Sequence, residues 1–223
     1  MQYDVRTKSV SLHAGRVRRL VGLLGSLVVG ACSIVGVRSG TEEPAYSVVG
    51  QAGLVEIRQY GPRAAAETTV DATEMAARSE GFQRLAGYIF GKNAGGTSVA
   101  MTAPVAQAST IAMTAPVMQS GSVIRFFLPS SLTAETAPRP IDARVRIVTV
   151  PAETIAVLRY SGSTRPEAVA EQQARLVSVL AGNPYQVVGT PFSWFYDPPW
   201  TLPPLRRNEA VVQVRALNGT GTE

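Results

Sequence analysis

Val55-Glu-Ile-Arg-Gln-Tyr60 and Val145-Arg-Ile-Val-Thr-Val150 are the two stretches on which the fold turns. Val55, Ile57 and Tyr60 recur in kind as Val145, Ile147 and Val150, 90 positions on. A proline follows each (Pro62, Pro151), and then a second strand-like run, Arg63 to Val70 in one case and Thr154 to Tyr160 in the other. A helix signal comes next in both. Asp71-Ala-Thr-Glu74 reads as a capping box opening a helix to about Phe90, with Met75, Phe82, Leu85, Ala86 and Ile89 at helical spacing and Gly91 to end it. Thr164-Arg-Pro-Glu167 supplies a cap and an early proline for a second helix carrying Val169, Leu176, Val177 and Leu180. Tyr185 to Val188 and Ala210 to Val214 are the last strands, with Phe192 to Pro204 expected as a loop. The pattern predicts an α+β domain of two strand-strand-helix-strand repeats.

Between the halves one phrase is written almost twice, Val99-Ala-Met-Thr-Ala-Pro-Val105 and Ile111-Ala-Met-Thr-Ala-Pro-Val117. Each copy alternates, so Val99, Met101, Ala103 and Val105 would share a strand face, as would Ile111, Met113, Ala115 and Val117. The expectation is an antiparallel hairpin centred near Ala108, with Thr102 opposite Thr114. Pro104 and Pro116 must then lie at an edge, a bulge or a non-donating position. Met101 and Met113 either fill core gaps or line a soft pocket. Val123 to Leu128 reads as a strand, and Thr133 to Ala143 as a surface loop.

The formal net charge is +5, and residues 1 to 31 hold most of it, with Arg6, Lys8, Arg16, Arg18 and Arg19 against Asp4. That leaves +1 for the rest, which gives no nucleic-acid footprint. Leu20 to Ala31 is nearly continuously apolar, short for a membrane span and of signal-peptide size. It ends in Val29-Gly30-Ala31-Cys32, similar to a bacterial lipobox, so Cys32 is the expected lipidation site. A plain signal peptide, an uncleaved anchor and a cytosolic tail are the alternatives. The organisation expected is a leader over 1–31, a tether over 32–45, a domain over 46–216 and a tail over 217–223, in an exported, envelope-associated or secreted protein.

His13 and Cys32 are the only histidine and cysteine, and both precede the domain. This excludes Ser-His-Asp and Cys-His nucleophiles, histidine zinc sites and the usual imidazole or thiolate ligands of haem iron. Glu56, Glu67, Asp142 and Asp197 show no paired spacing and read as solvated charges or caps. A non-enzymatic binding role is what remains.

Several separated motifs carry a family resemblance. They are Glu56-Ile-Arg-Gln-Tyr60-Gly-Pro, Gly81-Phe-Gln-Arg-Leu-Ala-Gly-Tyr88-Ile-Phe-Gly-Lys-Asn93, the doubled Ala-Met-Thr-Ala-Pro-Val, and Tyr196-Asp-Pro-Pro-Trp200 followed by Arg206-Arg-Asn-Glu209. In this order, over roughly Tyr46 to Arg215, the chain resembles the SOUL family of haem-binding proteins. The resemblance implies a distorted antiparallel β-barrel with two packed helices, and a monomer binding haem or another tetrapyrrole non-covalently. It implies an apolar groove between the first helix and the loop before the last strand. Arg84 and Tyr88 on the helix, and Tyr196, Trp200 and Arg206 in the loop, match that groove, with Arg78 and Met75 one or two turns earlier. Two propionates would pair with the arginines. A general amphiphile-binding or protein-interaction module is the alternative reading.

Overall fold

The 90-position echo is a structural symmetry. The computed structural model describes residues 41–72, 74–110, 121–198 and 200–217. Its elements run β1 (Tyr46–Ala52), β2 (Val55–Tyr60), β3 (Arg63–Val70), α1 (Glu74–Ile89), β4 (Val105–Thr110), β5 (Gly121–Phe127), β6 (Val145–Val150), β7 (Glu153–Tyr160), α2 (Pro166–Leu180), β8 (Tyr185–Phe195) and β9 (Asn208–Ala216). After β1, each half is strand-strand-helix-strand-strand, one strand longer than the expected repeat. The halves exchange their first strands, so that β2 pairs with β7 and β6 with β3. The registers obey the same shift, with Tyr60 opposite Glu153 and Val150 opposite Arg63.

The sheet is antiparallel, in the order β1-β2-β7-β9-β8-β4-β5-β3-β6, and β4 meets β8 at its centre, from Val105–Phe195 to Gln107–Ser193. The fold is therefore α+β, but the expected barrel is not closed. β1 occupies the edge of β2 that closure would need, and among the described residues nothing pairs β6 with the far end.

Both faces of the sheet are packed, which explains strands such as Ala64-Ala65-Ala66 and Ile155-Ala-Val-Leu158 that are apolar at every step. Ala64 and Ala66 face α1, where they join Leu85, Tyr88, Ile89, Ile124 and Phe126. Ala156, Leu158, Ala210 and Val212 face α2 through Leu176 and Leu180. The opposite faces of the two halves share a third core of Tyr60, Ala65, Phe127, Ile155, Val157, Trp194 and Val211. Trp194 stands edge-on to Tyr60 and Phe127, with ring centroids 5.6 and 5.8 Å away. α1 approaches so closely that a Cβ on Gly81 would lie 2.4 Å from Ile124 Cγ1.

The expected hairpin about Ala108 is not formed. Ala108 lies inside β4 opposite Val123, and β4 pairs with β5 on one side and β8 on the other. Pro104 precedes the ladder, with its peptide bond cis, and strand pairing starts at Val105. Thr102 instead donates its hydroxyl to the Phe127 carbonyl and bridges to Glu42. Met101 is exposed while Val99 and Ala103 are buried, so these residues share no strand face. Ile111 to Val117, and with it Thr114, Pro116 and Met113, lies outside the described residues, as do the expected leader, Cys32 and most of the tether.

Three boundaries also move. β8 continues through a bulge between Val188 and Phe192, so Phe192–Phe195 is strand rather than loop. Arg165 rather than Thr164 caps α2, with Pro166 opening it. The end of the expected tether is fastened: Glu42 accepts from the Ser130 amide at 2.7 Å, and Glu43 pairs with Arg207 at 2.8 Å. No helix among the described residues is long and apolar enough to cross a membrane.

Candidate binding surface

The two ends of α1 build different surroundings. Near its start the guanidinium of Arg78 lies where several elements converge. It donates to Gln107 Oε1 on β4 (2.5 Å) and to the Thr164 carbonyl ahead of α2 (3.0 Å), and it stacks 4.0 Å from the Phe195 ring centroid. Gln107 in turn donates to the Glu74 carbonyl, which fixes the first turn of the helix. Burial holds the Arg78 guanidinium below its ordinary range, and the nearby Arg206 adds like-charge repulsion. Arg206 belongs to the loop of residues 196–207 before β9, and its Nε donates to the Thr201 carbonyl at 2.7 Å.

That loop is stiff. Thr201 N–H bonds the Pro198 carbonyl, Leu205 N–H the Leu202 carbonyl, and Arg206 N–H the Pro203 carbonyl, around a single 3-10 turn at Pro203–Leu205. Gly162 N–H donates to the Pro203 carbonyl at 2.9 Å and ties the loop to the turn beside Arg78. The start of α1 and the loop both expose apolar side chains: Met75 and Phe82 on the helix, Trp200, Leu202 and Leu205 on the loop. Arg78 bonds Thr164 in the turn that Gly162 ties to Pro203, and it feels the charge of Arg206, so these exposed side chains are taken together as a candidate apolar shelf with Arg78 and Arg206 beside it.

Below the shelf a buried charge network anchors the loop. Glu209 is fully buried on β9 and accepts from Arg58 (3.0 and 3.3 Å), from the Tyr196 hydroxyl (2.7 Å) and from Arg207 (3.0 and 3.2 Å). The Arg207 guanidinium also covers the Tyr196 ring at 3.7 Å. Burial opposes the charge of Arg58, but Glu209 overrides it and the Arg58 pKa is raised. Burial, reinforced by Glu209, pushes the Tyr196 phenol well above its usual range.

The far end of α1 borders a separate cleft of about 280 Å³, lined by Arg84, Tyr88, Lys92, Pro140, Asp142 and Arg144 among others. Its charges are mostly matched in place, Arg84 with Glu80 and Arg144 with Asp142. Tyr88 is only 1% exposed, and its hydroxyl donates to the Pro138 carbonyl at 2.9 Å, so its ring is spent on the core.

The seven residues matched to a groove are therefore divided. Met75, Arg78, Trp200 and Arg206 belong to the shelf, Tyr196 lies beneath it, and Arg84 and Tyr88 belong to the cleft. Leu202 and Leu205 complete the shelf. Sequence reading missed them, although the apolar-proline run Leu202-Pro-Pro-Leu205 is the signal that finds them. The carboxylates singled out earlier each have a polar partner: Glu56 has Arg58, Glu67 has Arg125 and Arg146, Asp142 has Arg144, and Asp197 accepts from the Arg207 amide. Among the described residues no cluster of His, Cys, Asp and Glu is placed to hold a metal ion. Neither the shelf nor the cleft includes, among the described residues, a histidine or a cysteine.

A family model described as SOUL heme-binding protein matches residues 41–213. Heme-binding protein 2 of Homo sapiens is 32% identical over 131 residues, covering 58% of this chain and 63% of the human protein. Heme-binding protein 2 of Mus musculus is 30% identical over 156 residues, covering 66% of this chain and 75% of the mouse protein. The match thus spans less than two thirds of the human relative's length. Among solved structures, the C-terminal domain of EcmrR superposes with a TM-score of 0.52 at 11% identity, over 77% of this chain and 98% of that one. EcmrR in its DNA complex gives 0.55 at 10% identity, over 90% and 68%. At such identities the likeness is one of fold.

Proposed function

The chain belongs to the SOUL heme-binding protein family, and on that premise we propose that it binds haem or a related tetrapyrrole, without covalent attachment, on the shelf between α1 and the loop before β9. The observation that carries this reading is that Arg78 on α1 bonds Thr164, in the turn whose Gly162 holds the Pro203 carbonyl of the loop, while Met75 and Phe82 on the helix and Trp200, Leu202 and Leu205 on the loop are exposed. A macrocycle laid there covers apolar surface, and Arg206 and Arg78 lie beside the shelf to meet propionates. Haem would supply its planar apolar face and carboxylates, and the protein supplies shape and charge.

The domain brings no histidine or cysteine to such a guest, so grip without an imidazole ligand is part of the proposal. With no acid-base or nucleophilic set assembled at the shelf, a non-enzymatic, monomeric carrier, buffer or scavenger is the fitting role. The apolar run of residues 20–31 before Cys32 supports an exported, envelope-associated location with Cys32 as the lipidated residue.

The test is a titration of the full chain with hemin and with metal-free protoporphyrin, followed by absorbance and tryptophan quenching. Saturable binding of similar strength for both, weakened by Trp200→Ala and Arg206→Ala but not by Arg84→Ala, is expected. Loss on Arg84→Ala alone would move the site to the cleft. Binding of hemin with none of the metal-free ring would require an iron ligand. No saturation by either would favour a general amphiphile or protein-interaction role.

A further inference from the structure

The tip of the 196–207 loop does not behave like a loop that hides its apolar residues. Trp200, Leu202 and Leu205 are 62%, 52% and 44% exposed, and the backbone bonds described above hold them outward. A Trp-Leu-Leu set on a proline-stiffened turn suits the headgroup boundary of a bilayer, where an indole finds both apolar and polar surroundings.

The course of the chain says which apolar phase is at hand. Arg207, at the base of this loop, pairs with Glu43, and the neighbouring Glu42 is bridged to Thr102 beside the exposed Met101. The chain preceding the described residues therefore starts from the base of the same loop. Ten residue steps separate Glu42 from Cys32, a reach of at most about 35 Å when extended. Beyond lie the apolar residues 20–31, preceded by Arg16, Arg18 and Arg19. A segment of that kind partitions into membranes, and it would hold the loop within its own length of the surface.

We propose that the Trp200–Leu205 tip is a membrane-contact surface and that its partner is a phospholipid bilayer. This goes beyond tetrapyrrole binding and does not rest on it: a ring and a bilayer would compete for Trp200, Leu202 and Leu205, and the contact is tested with no ring present.

The test uses the full chain with vesicles of phosphatidylcholine and phosphatidylglycerol, plain or with brominated acyl chains. Trp200→Phe keeps the apolar surface and leaves Trp194 as the remaining tryptophan, so the difference from wild type is the Trp200 signal. The expected result is a blue shift of that signal on adding vesicles and loss of most of it with brominated lipid, while Trp194 is unaffected. Leu202→Ser with Leu205→Ser should cut the quenching severalfold. A chain that binds vesicles while Trp200 stays unquenched overturns the proposal, and so does a chain that binds none. A Trp200 signal already blue-shifted and shielded from aqueous quenchers before lipid is added overturns it too, because the chain's own apolar segment would then occupy the tip. No ring compound is present, so the result is independent of the hemin titration.

Discussion

Arg63 and Glu153 occupy equivalent positions in the two halves, 90 residues apart, and form an ion pair with each other where the exchanged strands meet. The guanidinium is enclosed by aromatic rings, 4.2 Å from the Tyr60 centroid, 4.6 Å from Phe127 and 6.0 Å from Trp194. Its Nε and Nη1 have no hydrogen-bond partner, and neither has Trp194 Nε1. Burial accordingly holds the Arg63 pKa below its usual range, with Glu153 the main opposing influence. Cation-π contact and one carboxylate thus keep a charge at the centre of the third core.

Glu153→Gln should therefore strand a buried charge and cost about 3–5 kcal/mol. Arg63→Met combined with Glu153→Leu should recover most of that loss, since the site is otherwise apolar. Chemical denaturation of the two variants checks this, and an unchanged midpoint for Glu153→Gln would mean that the pair contributes nothing.

Glu209 does the same work beneath the shelf, with two arginines and a phenol converging on a fully buried carboxylate. Glu209→Gln should destabilise by a similar 3–5 kcal/mol or so and free Tyr196 from its acceptor. The milder Tyr196→Phe keeps the ring under Arg207 and removes one hydrogen bond to a charged group, for about 1.5–3 kcal/mol. If the network positions the loop, Tyr196→Phe also weakens hemin binding in the titration; a stability loss with unchanged binding would make the network purely structural.

Much of this architecture was legible because both strand pairs are apolar runs bounded by prolines, and Arg63–Val70 and Val145–Val150 fall where the pattern puts them. The hairpin was misread for a physical reason. Thr102 spends its hydroxyl on Phe127 and Pro104 has no N–H, so the phrase that looks like a strand serves as the approach to one. β1 left little trace because most of its residues are exposed, which erases alternation. The family motifs point to one helix and one loop, but helix geometry divides their residues. Arg78 and Arg84 are six positions apart, about 120° around α1, so they face different neighbours.

Gly81 and Gly87 give opposite expectations on that helix. Gly81→Ala would push a methyl to within 2.4 and 2.7 Å of Ile124 Cγ1 and Cβ in the core, costing about 1–3 kcal/mol, and adding Ile124→Ala, which removes Cγ1, should make the two losses less than additive. At Gly87 the nearest atom is Lys92 Cδ at 3.1 Å, on a flexible side chain that can move aside. Gly87→Ala should then be neutral or stabilising by up to about 1 kcal/mol. Thermal melts of the two variants side by side provide the check, and equal effects would contradict the close approach of α1 to β5.

Alkaline pH should unfold this protein through its buried phenols. Burial, as the leading cause, pushes Tyr60 and Tyr160 up to about 12, and drives Tyr196 up with the help of Glu209. A phenol is neutral when protonated, so a raised folded pKa means the unfolded chain gives up its proton first. The associated stability is whole below the unfolded value of about 10 and is lost as pH climbs from there to about 12. Denaturant midpoints should hold steady approaching pH 10 and then fall, while phenolate absorbance rises in step with unfolding. Tyr160→Phe removes one such group and should flatten the fall; a wild-type midpoint indifferent to pH between about 10 and 12 would show that these hydroxyls ionise freely in the folded protein.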